Sequence, residues 1–264
     1  MRDSEPRFVS VGKNGGLRKV ACKIEQPSQS PRANLIWLGG FRSDMQGTKV
    51  NFLADWAEKQ NFGLACFDYS GFGSSEGNFL EATISDWLED ALAVFEIAAS
   101  KRSILVGSSM GAWIALLLVR HLQSIQSDRL QSIGGLVLIA PAWDMTKALM
   151  EDRFDDQIRD QLKKEGVFYR PSAYDDGPYP ITSKLIEDGR QHLLADEKLD
   201  AFPPVRILHG MQDVDVPWQH SMKLVELIGS ETVTLTLVKD ANHRLSRDQD
   251  LKQLCTEIEL IAGS

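Results

Sequence analysis

Five consecutive residues, Gly107-Ser108-Ser109-Met110-Gly111, carry the strongest chemical signal in the chain. A Gly-x-Ser-x-Gly pattern between a strand and a helix puts the central hydroxyl on a sharp turn above a sheet edge. The β-type run at 103–106 and the apolar helical pattern through Trp113 and Leu118 supply that setting. Glycines flank the turn because it leaves no space for side chains two residues either side of the nucleophile. Ser109 holds the central position; Ser108 does not. Amide hydrogens at the helix start point at the same spot and favour a developing anion.

A hydroxyl is a weak nucleophile and needs a base. Among the histidines, His243 follows the last strand directly, in Asp240-Ala241-Asn242-His243-Arg244, so its loop can deliver the ring to the sheet edge. His121 falls near the end of the elbow helix and points away. His209 closes a strand and reads as packed, while His192 and His220 lie on helical patterns where solvent or cap contacts account for them. The base needs a carboxylate to orient it. His209-Gly210-Met211-Gln212-Asp213-Val214-Asp215-Val216-Pro217 follows the penultimate strand and offers two, Asp213 and Asp215. Asp215 stands just before a predicted helix, where an acid suits the positive dipole end.

Attack on a carbonyl builds charge on its oxygen, and amide donors must await it. Met110 supplies one backbone N–H. The loop Gly39-Gly40-Phe41-Arg42-Ser43-Asp44 supplies the other, from Phe41 or, alternatively, Gly40. Arg42 beside it could meet an anionic substrate group or serve a surface ion pair. Asp68-Tyr69-Ser70-Gly71-Phe72-Gly73-Ser74-Ser75 contains Gly-x-Gly but lacks the Gly-Lys-Ser/Thr of a phosphate loop and a third glycine at dinucleotide spacing. It reads as a tight turn.

The elements that position these residues alternate. A hairpin at 8–11 and 17–24, turning through Lys13-Asn14-Gly15-Gly16, precedes strands at 34–38, 64–67, 104–106, 135–139, 205–209 and 232–238. Helical patterns occupy 49–60, 83–99, 109–123, 218–228 and 247–261, with a capping box from Thr83 to Asp86. Such alternation predicts a mainly parallel eight-stranded α/β sheet with helices on both faces, in a single domain over 1–264. Residues 144–200 show no strand pattern and carry more acids than bases. They read as a helical cap or lid insertion over the carboxyl edge of the sheet, where ligands of open α/β sheets bind. Within it, Phe168 and Tyr174 are candidates to line an acyl or leaving-group pocket.

Composition narrows the function. With 29 basic and 37 acidic residues the net charge is −8, which gives no basic footprint for nucleic acid. Cys22, Cys66 and Cys255 are far apart, with no metal-ligand spacing, so no metal site or disulfide framework is expected. The N-terminal residues mix acid and base without an apolar stretch, and no run approaches the ~20 apolar residues of a membrane span. A cytoplasmic protein without stable membrane insertion is expected.

The elbow, Gly39-Gly40-Phe41, the Asp68–Ser75 stretch, His209-Gly210-Met211-Gln212-Asp213 and Asn242-His243-Arg244 together resemble the α/β-hydrolase superfamily of serine hydrolases. More narrowly, the chain is similar to the mitochondrial palmitoyl-protein thioesterases of the α/β-hydrolase-domain family, also described as mycophenolic acid acyl-glucuronide esterases. The likeness runs from about Leu35 to the C-terminus and includes Gly47-Thr48-Lys49, Val216-Pro217-Trp218 and the region of Tyr174. It implies a serine esterase or thioesterase, with Ser109, Asp213 and His243 as triad in the chain order Ser, Asp, His. Asp213 is favoured over Asp215 because the superfamily's acid commonly falls at the third position after His-Gly. Small acyl esters or thioesters would be the substrates, and no cofactor would be needed. Two other functions fit the same residues: a non-enzymatic ligand binder on this fold, and an acyl transferase.

Overall fold

The computed structural model describes residues 5–12, 16–171, 177–195, 198–230 and 232–263. The antiparallel hairpin β1 (Arg7–Val11) and β2 (Arg18–Glu25) forms one edge of the sheet. Its expected turn at 13–15 lies outside the described residues. Five apolar runs, buried almost throughout, follow as β3 (Asn34–Leu38), β4 (Gly63–Phe67), β5 (Ser103–Ser108), β6 (Ile133–Ile139) and β9 (Val205–Gly210). The half-exposed β10 (Val233–Val238) closes the far edge. The eight strands are ordered β1-β2-β4-β3-β5-β6-β9-β10, and every neighbouring pair from β4 onward is parallel.

Alternating side chains divide the core between two faces. Leu35, Trp37, Ile104, Val106 and Ile139 pack toward α1 (Thr48–Lys59) and α7 (Asp248–Ala262). Ile36, Leu38, Leu105, Leu136 and Ile207 pack toward α2 (Ile84–Ala98), α3 (Met110–Ser124) and α6 (Trp218–Leu227). At the start of α2 the Asp86 N–H donates to Thr83 Oγ1 and the Thr83 N–H to Asp86 Oδ2, so the aspartate completes the capping box.

Between β6 and β9 the chain leaves the sheet. A π-helix, Met145–Met150, leads to α4 (Asp156–Glu165), the strand pair β7 (Val167–Arg170) and β8 (Tyr179–Thr182), and α5 (Ser183–Gly189). The strand pair corrects the expectation of a strand-free interval. Both strands are too short to show a period, and Pro180 in β8 reads as a strand breaker. It is tolerated opposite Tyr169 because a two-stranded ribbon has only edge strands. No helix among the described residues is long and apolar enough to cross a membrane.

Candidate active site

The turn from β5 into α3 is strained where the chemistry demands it. Ser109 adopts φ 55° and ψ −116°, unusual for a residue with a side chain. Its backbone is tied to the end of β6: the Ser109 N–H donates to the Ile139 carbonyl at 2.8 Å, and its own carbonyl accepts from Ala142 N–H at 3.1 Å. A Cβ at Gly107 would come within 2.6 Å of Ala112 Cα, and one at Gly111 would strike the Leu38 carbonyl. β3 and β5 can therefore end side by side, with Leu38 paired to Gly107. Met110 is fully buried and opens α3, where first-turn amides lack helical acceptors. Ser108 is buried, whereas Ser109 is partly exposed.

His243 is brought to the serine by backbone packing between β9 and the loop after β10. A Cβ at Gly210 would strike the Ala241 carbonyl, and the Gln212 N–H donates to that same carbonyl at 2.8 Å. Arg247 bonds both Asp240 and Asp250 across the base of the loop. Lys49 Nζ donates to the Arg244 carbonyl at 2.6 Å, and burial pushes this lysine down to about 8. The outcome is a continuous chain of hydrogen-bonding groups. His243 Nε2 lies 3.0 Å from Ser109 Oγ, and His243 Nδ1 lies 2.6 Å from Asp213 Oδ2. Burial opposes charge on Asp213, but bonds from His209, His243 and backbone amides hold its pKa below the ordinary carboxylate range.

The loop after β3 is held over the serine from both ends. Gly40 approaches Ser109 so closely that a Cβ there would be 3.5 Å from the serine Cβ. The Phe41 ring packs edge-on against Phe79, Trp87 and Tyr179 at 5.2, 5.8 and 5.8 Å. Asp68 accepts from Met45 N–H and Ser74 N–H, both at 2.7 Å, stapling this loop to the Asp68–Ser75 turn. That turn is built around the carboxylate: a Cβ at Gly73, φ +44°, would occupy the place of the Asp68 side chain.

Ser109 and His243 open into a cavity of about 780 Å³. Its apolar wall comes from Ala142, Val216 and three residues of the π-helix, Met145, Leu149 and Met150. Among the described residues, four cations, Arg42, Lys49, Arg170 and Arg244, line it against two carboxylates, Asp44 and Asp215. Arg42 donates to the Pro178 carbonyl at 3.3 Å, and Arg170 lies over the Tyr179 ring at 6.0 Å.

The structure thus brings Ser109, His243 and Asp213 together, with Phe41 and Met110 beside them. Asp215 stands just before α6, as expected, and also lines the cavity. Two other expectations move. Phe168 is not among the cavity residues; it packs edge-on against Phe154. His220 is buried, stacked on Trp143 at 4.6 Å and bonded to its carbonyl at 2.8 Å, rather than meeting solvent. Tyr174 lies outside the described residues. Asp213, Asp215 and His243 place possible ligand atoms within 4.8 Å of one another. The Asp213 oxygens are also bonded by His209, His243 and the backbone N–H groups of Asp215 and Val216. Sequence reasoning missed Lys49, Asp68 and the π-helix wall. Gly47-Thr48-Lys49 and the Asp68–Ser75 stretch left a trace, as parts of a resemblance without a role for Lys49 or Asp68.

A serine on the elbow after β5, an acid after β9 and a histidine after β10 of such a sheet define an α/β hydrolase. The model of the family described as serine aminopeptidase, S33, matches residues 29–164, and the chain belongs to this hydrolase family. It is 31% identical over 226 residues to the mitochondrial palmitoyl-protein thioesterase ABHD10 of Pongo abelii, covering 85% of this chain and 71% of that one. The human counterpart is 30% identical over the same shares. Among solved structures, a protein from Agrobacterium vitis S4 superposes with TM-score 0.93 at 44% identity, covering 98% of both chains. The mouse α/β hydrolase domain-containing protein 10 superposes with TM-score 0.83 at 29% identity, again covering 98% of both.

Proposed function

We propose that this hydrolase cleaves carboxylic esters or acyl thioesters through an acyl-enzyme on Ser109. The observation that carries the reading is the Ser109–His243–Asp213 relay, whose nucleophile end opens into the cavity. Ser109 Oγ attacks the acyl carbon while its proton passes to His243 Nε2. The carbonyl electron pair moves onto oxygen, where the amides of Met110 and Phe41 receive it. Collapse expels the alkoxide or thiolate, which takes the proton from His243. Water then gives a proton to His243 and its oxygen attacks the acyl carbon. The second collapse returns the proton to Ser109 and frees the carboxylic acid. Asp213 stays ionised and stabilises the imidazolium at each stage.

The insertion serves as a cap in this reading. Met145, Leu149 and Met150 take the apolar acyl part, and the excess of cations favours esters that carry an anionic group. Thioester cleavage is supported by likeness to relatives named as palmitoyl-protein thioesterases. Aminopeptidase activity, which the family description would carry, needs carboxylates for a substrate ammonium, and among the described residues the cavity has four cations to two carboxylates. The three cysteines are free and buried, which is compatible with a reducing compartment, and a cytoplasmic location is part of the proposal.

The test is a panel of nitrophenyl esters, acyl thioesters of graded length and aminoacyl anilides. Turnover of esters or thioesters, abolished by Ser109→Ala and left within about tenfold by Ser108→Ala, is expected. Cleavage of anilides alone, or full turnover by Ser109→Ala, would contradict the proposal.

A further inference from the structure

His209 takes no part in the steps above, yet it is fully buried at the end of β9 with both ring nitrogens engaged. Its Nε2 lies 3.0 Å from the Val216 carbonyl oxygen, which can only accept, so the ring proton is on Nε2. Nδ1 lies 2.6 Å from Ser221 Oγ on α6, and that hydroxyl donates to it. The same Nε2–H lies 3.2 Å from Asp213 Oδ2.

A carboxylate offers about four lone-pair positions, and Asp213 has a donor for each. Oδ1 accepts from Asp215 N–H at 2.9 Å and Val216 N–H at 2.8 Å. Oδ2 accepts from His209 on the protein side and from His243 on the cavity side. The two amides grip only Oδ1 and act as a pivot. Without His209, the one remaining donor to Oδ2 among the described residues would be His243, whose side chain is 19% exposed and must exchange protons in every turnover.

We propose that His209 is a positioning residue: it fixes Asp213 Oδ2 in line with His243, and Ser221 fixes the tautomer of His209 that can do so. The inference rests on the hydrolase reading above. It gives a function to the His in His209-Gly210-Met211-Gln212-Asp213, which spacing alone leaves as a packed side chain.

A double-mutant cycle tests it. His209→Phe keeps a ring but cannot donate, whereas His209→Gln keeps an N–H near the Nε2 position. Each is measured in the native and the Asp213→Asn background, with folding checked by near-UV circular dichroism. His209→Phe should lower kcat by about 10²-fold and leave KM within about threefold. His209→Gln should recover activity to within about tenfold of native. In the Asp213→Asn background, His209→Phe should add no loss beyond about twofold, because its route to the chemistry is already cut. A folded His209→Phe with native kcat, equal losses in both backgrounds, or no advantage for His209→Gln would each overturn the proposal. Should His209→Phe not fold, Ser221→Ala decides: a several-fold fall in kcat that vanishes with Asp213→Asn supports it, and native kcat overturns it. If Ser109→Ala kept turnover, the hydrolase reading itself would fail. If that variant is dead and His209 is uncoupled from Asp213, only the positioning role falls.

Discussion

Around the elbow, a side chain added at Gly107 or Gly111 would strike backbone, whereas at Gly166 and Gly177, in the insertion, nothing among the described residues lies within 4 Å. The two regions face each other across one cavity but are determined differently. At the elbow, three strand ends and a helix start leave one possible path for the chain, so Ser109 is held in a conformation it would otherwise avoid. In the insertion, the cavity wall is made by side chains of a π-helix and of β8, and the backbone beyond them is less crowded. On the proposed reading, backbone packing places the chemistry and replaceable side chains set substrate choice.

The largest effect expected from breaking that contrast is at the acid. Asp213→Asn should cut kcat by about 10²–10⁴-fold, because an amide cannot stabilise the imidazolium and presents donors where donors already converge. Asp215→Asn should leave kcat within about tenfold and act on KM for charged esters, since Asp215 lines the cavity without joining the relay. Steady-state kinetics on both folded variants checks this; a crippled Asp215→Asn beside a healthy Asp213→Asn would reverse the assignment.

Glycine substitutions probe the backbone directly. Gly111→Ala should cost about 3 kcal/mol or more, because the Leu38 carbonyl has to give way. Gly166→Ala, at φ +74° with open space around it, should cost about 1 kcal/mol. Urea unfolding of the two variants measures the difference, and equal costs would remove the contrast.

His220 and Trp143 join α6 to the root of the insertion. Burial pushes His220 down to about 4, against ~6.5 in an unfolded chain. The folded state favours the neutral ring, so this stabilisation is complete above ~6.5 and is lost as pH falls toward 4. The loss should reach about 2–3 kcal/mol. His220→Gln, whose amide can still donate to the Trp143 carbonyl, should flatten that part of the stability profile. An unchanged slope between pH 6.5 and 4 would show that other groups carry it.

The smallest effect is expected in the insertion. Leu149→Ala should change relative kcat/KM between short and long acyl chains by about tenfold while leaving the best substrate's kcat nearly intact. A uniform fall across all chain lengths would place Leu149 in support of the elbow instead.

Legibility in the sequence follows the same division. The strands of the large sheet are readable because helices cover both faces and the buried runs are continuously apolar, as in Leu35–Leu38. β7 and β8 are not, since four residues show no period and Pro180 argues against a strand. Ser109 is readable because its glycines are local, and His243 because it follows a strand end. Roles that depend on long-range approach are hidden: Lys49 reaching the Arg244 carbonyl, Asp68 stapling Met45, and His209 turning toward Asp213. Phe168 is attractive as an aromatic in the insertion, yet its ring packs on Phe154, a contact between separate segments that local sequence does not show.

The central claim is that Ser109 carries the acyl group during turnover. The direct measurement is acid quenching during hydrolysis of a slow ester, followed by mass spectrometry of the peptide between Arg102 and Arg120, with fragmentation to separate Ser108 from Ser109. The account predicts an acyl adduct on Ser109 that forms and decays at the rate of turnover, and none after Asp213→Asn has slowed acylation below the quench time. An adduct on Ser108, or steady turnover with no adduct on either serine under conditions where deacylation limits the rate, would contradict it.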